Sequence, residues 1–300
     1  MPGIITIIKK EISDAVTNRS FLLSFGILVL CMVIAGFASG NAFNSQRFVA
    51  SKDRLLILRE IAPIITQLGA LVSVALGFNS INKERPEGSL KVVLSYPIYR
   101  DQIILGKLLG NLVITTIATT ASMGISLALY LQMTKIVLDS ETLVRYSTLI
   151  LLAILLLGGY LGLSILLSAS IEDPKTTLLV TFLFLGIFNS ETLFSYGQIF
   201  SNLVYGNIPR VWGLGGSVPV YAPAKALQDF ISSLSPAYDF TAFSTNLSNY
   251  LQPITTNGVV INSSFWDLIT NNLVYLPILI VLPLATFIGC YVIFTRTDIS

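Results

Sequence analysis

The chain of 300 residues has no histidine and only two cysteines, Cys31 and Cys290. The commonest general base and metal ligand is therefore missing, and neither a disulfide framework nor a thiolate metal cluster is suggested. No apolar run presents a Ser or Asp beside a plausible base, so intramembrane hydrolysis is the least favoured reading. A phosphate-cradling Gly-x4-Gly-Lys-[Ser/Thr] loop is absent, because Gly106-Lys107 lacks both the upstream glycine and the following hydroxyl. The residues that could act instead form a charged cluster, Lys83, Glu84, Arg85 and Glu87. Gly88 follows, then a short amphipathic stretch from Ser89 to Ser95, with Pro97 breaking it. Their chemistry is recognition: the charges orient a partner, and Leu90, Val93 and Leu94 can fill a groove. By residue type alone, an ordinary loop carrying positive-inside charges fits equally well.

The elements that must position this cluster are membrane helices. Apolar residues make up 53% of the chain and charged residues 11%, with a net charge of +2, far from the roughly one-quarter charged content of soluble domains. That charge is too small, and too free of basic blocks with interleaved aromatics, to suggest nucleic-acid binding. Runs near the ~20 residues needed to span a bilayer predict six helices, at Phe21 to Ala38, Ile61 to Ile81, Ile103 to Leu131, Ser147 to Ser168, Thr176 to Phe194 and Asn272 to Phe294. The fold expected is all-α, a single transmembrane domain over residues 1–300.

Ahead of the first span, Ile4, Ile5, Ile8, Ile12, Ala15 and Val16 recur at spacings of three and four, with Lys9, Lys10, Ser13, Asp14 and Thr17 between them. This predicts an amphipathic helix over residues 1–20 lying in the membrane interface. It lacks the short apolar core and small-residue cleavage site of a signal peptide, so the first span is expected to be retained. An even number of spans puts both termini on one face. Lys9, Lys10, Arg19, Lys83, Arg85, Lys91, Arg100, Lys107, Lys175 and Arg296 then share that face, which is assigned to the cytosol. The other face holds Arg47, Lys52, Arg54, Arg59, Lys135, Arg145, Arg210 and Lys225 over about twice the length.

Residues 191–271 form the longest outer segment, rich in aromatics and punctuated by glycine and proline. That composition suits structure at headgroup level rather than a disordered linker. It carries two possible glycosylation sequons, at Asn246 and Asn262. Within the spans, ionisable groups are nearly absent, which disfavours a proton- or sodium-coupled carrier and favours a hydrophobic or amphiphilic cargo. Gln67, Asn79 and Asn111 are expected to hydrogen-bond between helices rather than touch cargo. No internal repeat marks an inverted-repeat transporter.

The string NKERPEGSLKVVLSYPIYRDQIILGKLLG resembles the signature of the membrane subunits of ABC-type-2 transporters, through Glu84, Arg85, Glu87, Gly88, Ser89, Leu90, Ser95, Pro97, Gly106 and Lys107. Pro86 departs from it. IIKKEISDAVTNRSFLLSF resembles the family's interfacial helix with its basic-Glu pair, LGLSILLSASIEDPKTT its fourth span and second cytosolic turn, LSPAYDFTAF the segment before its last span, and IFTRTDIS its carboxyl end. The resemblance implies a permease of a multi-pass plasma-membrane exporter, with two copies of a separate ATPase binding ATP and Mg and a second permease chain, taken as a homodimer. It implies no cofactor in this chain and no enzymatic activity. The ATPase is expected to dock on residues 82–102, at Glu84, Arg85, Glu87, Gly88, Ser89, Tyr96, Pro97 and Arg100, with a smaller contact at Asp173 and Lys175. The alternative from another class is a non-transporting scaffold or signalling subunit.

Overall fold

The computed structural model describes residues 2–45, 56–78, 80–81, 100–136, 139–171, 173–189, 235–248, 254–256, 259–261, 269–270, 273 and 276–296. Helix α1 (Pro2–Thr17) ends where the Asn18 amide donates to Ala15 O at 3.1 Å, tightening the last turn. Asn18 then starts α2 (Arg19–Ser45): its Oδ1 accepts from the Ser20 amide at 3.0 Å, satisfying one of the orphan donors of a helix N-terminus. A single Asn thus separates α1 from the first span.

The second span is one apolar rod in three pieces, α3 (Leu56–Ile64), a π-helical turn (Ile65–Gly69) and α4 (Ala70–Gly77). Pro63 lies inside α3, where it removes a backbone donor and crowds the preceding turn, and the ladder widens two residues later. Next come α5 (Arg100–Thr134), roughly 50 Å long at 1.5 Å per residue, and α6 (Ser140–Ser170), N-capped by Asp139. Lys135, at φ 56°, carries the chain out of α5 in the left-handed conformation.

Helix α7 (Pro174–Phe188) occupies the place of the expected fifth span, but it has only 15 residues and ends at Asn189. At roughly 22 Å it falls short of a ~30 Å hydrocarbon core. Five helices among the described residues are long and apolar enough to cross: Arg19–Ser45, Leu56–Gly77, Gln102–Thr134, Thr142–Ser170 and Leu276–Phe294. Residues 191–271 contribute α8 (Pro236–Ser248) and a small antiparallel hairpin of β1 (Ile254–Thr256) and β2 (Val259–Ile261), a minor addition to an all-α fold. The last helix is α9 (Leu276–Arg296).

Helix α6 is the centre of the bundle. In its most apolar stretch 67% of residues are buried, against 28% in α2 and 22% in α9, so those two leave broad apolar faces uncovered. Close approach depends on small residues: a Cβ on Gly36 would meet Ser126 O of α5 at 2.7 Å, and one on Gly40 the Met133 Cβ at 2.7 Å. Helix α8 lies over α3, fixed by a bond from Ser244 Oγ to Leu58 O at 2.6 Å. Arg145, expected on the outer surface, is buried and donates from Nη1 to Leu247 O at 3.1 Å. Leu247 lies in the last turn of α8, so this carbonyl is one that basic groups favour at a helix C-terminus.

Candidate functional site

Helix α1 has three faces rather than the two its sequence suggests. Ile7, Ile8, Glu11 and Ala15 turn toward the bundle, Ile5 and Val16 stay exposed, and Lys10, Ser13, Asp14 and Thr17 form the polar side. The seat is on α5, where Gly106 and Gly110 leave bare backbone one turn apart. A Cβ on Gly106 would lie 2.7 Å from Ile7 Cγ2, and one on Gly110 2.8 Å from Glu11 Cβ.

Between those glycines stands Lys107. Its Nζ donates to Glu11 Oε1 at 2.8 Å and to Ser80 O at 2.9 Å. Lys107 is 3% exposed and Glu11 8%. Burying two charges is tolerable only when they are paired and hydrogen-bonded, as here. The carbonyl of Ser80 lies just past the end of α4, where helix carbonyls lack intrahelical partners. Lys107 therefore clamps α1, α5 and the C-terminal end of the second span together. The next residue is fixed as well, since the Ile81 amide donates to Ser168 Oγ of α6 at 3.3 Å. Ser80 and Ile81 are the last described residues before the 82–102 segment, so the root of that segment is anchored to three helices.

Glu84, Arg85, Glu87, Gly88, Ser89, Tyr96 and Pro97 lie outside the described residues, as do Asn79 and Asn262. Arg100 opens α5, and its side chain is not described. Asp173 and Lys175 sit on the exposed turn between α6 and α7. Asp173 caps α7, accepting from Thr176 N at 3.1 Å and Thr176 Oγ1 at 2.7 Å. The Thr176 hydroxyl and amide hold this carboxyl below the usual carboxylate range. Asn246 lies in the last turn of α8 and is partly exposed.

A second feature is an open stripe along the second span. Glu60 and Gln67 are exposed, and Pro63, Ile64, Leu68, Leu71, Ala75 and Phe78 are partly so. The stripe begins at an outer cleft of about 530 Å³ bordered by Arg59, Glu60, Tyr238 and Thr241. It ends at a strongly apolar hollow of about 750 Å³ formed by Phe78, Leu178, Leu179, Phe182 and Leu183. Gln67 was expected to bond between helices and instead faces outward. Asn111 likewise leaves its Nδ2 without a hydrogen-bond partner. Asn189 takes up the interhelical bond: its Nδ2 donates to Thr66 O, inside the π-helical turn, at 2.8 Å.

Five helices long and apolar enough to cross a membrane, with an amphipathic helix packed against them, define a polytopic membrane protein. The family model described as "ABC-2 family transporter protein" matches residues 5–299, and the chain belongs to that family. It is similar to a protein of Pseudomonas aeruginosa (strain PAO1) named "Probable ABC transporter permease protein NosY", at 33% identity over 126 residues, covering 41% of this chain and 44% of that one. A protein of the same name from Stutzerimonas stutzeri is 30% identical over 118 residues, covering 39% of this chain and 42% of the relative. The chain thus spans less than half the length of the curated relatives it matches.

Proposed function

We propose that this chain is the membrane-spanning half of an ATP-driven exporter. A separate ATPase, present in two copies and binding ATP and Mg, docks on the 82–102 segment and on the turn at Asp173 and Lys175. A second copy of the chain completes the path. The termini are cytosolic, the membrane is the plasma membrane, and the cargo is a hydrophobic or amphiphilic molecule moved outward.

The observation that supports this best is the Lys107 clamp. Because Ser80 and Ile81 are tied to α1, α5 and α6, a push on the segment that follows them tilts helices instead of dissipating in a slack loop. The cargo class is supported by the stripe from Glu60 to Phe78. Its single mid-span polar group, Gln67, can take one hydrogen bond from an amphiphile but cannot replace the hydration shell of an ion. The test is charge reversal at Glu84 and Glu87 in the chain co-expressed with its ATPase. Loss of ATPase co-purification and of ATP-dependent export from proteoliposomes is expected. Retention of both would refute the reading.

A further inference from the structure

Beneath the Glu11–Lys107 pair lies a cavity of about 260 Å³ between α1, the end of α4 and α5. The exposed residues Asp14, Thr17 and Asn18 form its rim, and Ser80, Lys107 and Asn111 its floor. Two floor atoms are buried with no hydrogen-bond partner, Asn111 Nδ2 and Ser80 Oγ. Asn111 is only 3% exposed and borders this chamber. Unpaired buried polar groups cost free energy, and persistent ones call for an occupant.

We infer that this cavity is a binding site for a primary ammonium group at the cytosolic membrane boundary. Glu11 and Asp14 contribute two negative charges and Lys107 one positive charge already engaged by Glu11, so the chamber carries an excess of one negative charge. An oxyanion would meet two carboxylates and no free cation. A hard divalent cation needs about six oxygen ligands, and among the described residues no group of three or more His, Cys, Asp or Glu side chains could hold one. A primary ammonium has three N–H donors for the Asp14 carboxylate, the Ser80 hydroxyl and the Asn111 amide, which presents its oxygen by rotating about its last bond. The space is that of about nine waters at ~30 Å³ each, enough for an aminoethyl group and its residual hydration. Two sources share this chemistry: an aminoethyl phospholipid headgroup of the inner leaflet, and a free amine in the cytosol.

The test compares thermal unfolding of the full chain in nanodiscs of three kinds: phosphatidylcholine alone, phosphatidylcholine with phosphatidylethanolamine, and phosphatidylcholine with ethanolamine in the buffer. The choline headgroup, trimethylated, has no N–H to donate. The wild-type Tm is expected to rise by about 3 °C or more in the second or third condition, as for a ligand that binds only the folded state. A rise with the lipid alone assigns the headgroup, and a rise with ethanolamine assigns the free amine. Asp14→Asn, at an exposed position, should keep the phosphatidylcholine baseline and lose most of the rise, and Asn111→Leu should lose it too. Equal Tm in all three conditions, or a rise undiminished in both variants, would overturn the proposal.

Discussion

Glu11 and Lys107 lie 96 positions apart in sequence and 2.8 Å apart in space, and neither is freely exposed to water. One belongs to the N-terminal helix α1 and the other to α5, so their contact decides whether α1 moves with the bundle. Removing either partner strands a buried charge. Lys107→Met or Glu11→Leu alone should destabilise the protein by about 3–5 kcal/mol, and the double change should recover most of that loss. Chemical denaturation of the detergent-solubilised chain measures both. Equal losses in the single and double variants would show that packing, not charge, holds the joint.

The glycine seat makes a separate prediction. Gly110→Leu would force its side chain into the Glu11 Cβ, and Gly106→Leu into Ile7. Overpacking of this kind costs about 1–3 kcal/mol, or more where backbone must yield. Here α1 can yield by lifting away, so a cysteine placed at Ile7 should become several-fold more reactive to maleimide in either variant. Unchanged labelling would mean that α1 is held elsewhere.

On the opposite side of the membrane, Asp239 in the first turn of α8 is mostly buried, and burial pushes its carboxyl up to about 6. A raised carboxyl binds its proton more tightly in the folded state than in the unfolded one. The stability of the α8 dock is therefore expected to fall as pH rises from the unfolded value of about 4 through 6, and to level off above that. Hydrogen exchange of α8 amides between pH 5 and 7.5 should quicken with pH beyond the intrinsic rate, and Asp239→Asn should abolish the excess.

Asp173 behaves in the opposite sense. Its carboxyl sits below the ordinary range because Thr176 donates to its ionised form, so the stability it lends α7 is present at neutral pH and lost only as pH falls through that lowered value. Asp173→Ala should loosen the first turn of α7, and Asp173→Asn should retain most of the cap. Proteolysis or exchange at residues 174–177 reports the difference. If Asp173→Asn also weakens ATPase association while the cap survives, the residue has a second role at the interface.

The long apolar runs were legible because lipid demands about 20 uninterrupted apolar residues; five of the expected spans appear as long helices. The burial of Glu11 had a readable signal that the period obscured. Glu11 lies three residues after Ile8 and four before Ala15, on the same face, and it faces a lysine flanked by Gly106 and Gly110. The hairpin also had one: Asn257-Gly258 separates two β-branched stretches, a strong short-range turn signal. Pro63 hinted at a break in the second span without revealing the π-helical turn. The burial of Arg145 had no local signal, because the carbonyl that satisfies it belongs to Leu247, 102 residues away.

On the proposed reading, motion entering at residues 82–102 reaches the bundle through Lys107. Proteoliposomes holding the permease and its ATPase test it, with ATP hydrolysis and cargo efflux measured in parallel for wild type and for the Glu11→Met, Lys107→Met double variant. The double variant is expected to form a folded complex that still hydrolyses ATP but exports at least about tenfold more slowly. Export in proportion to hydrolysis, as in wild type, would contradict it.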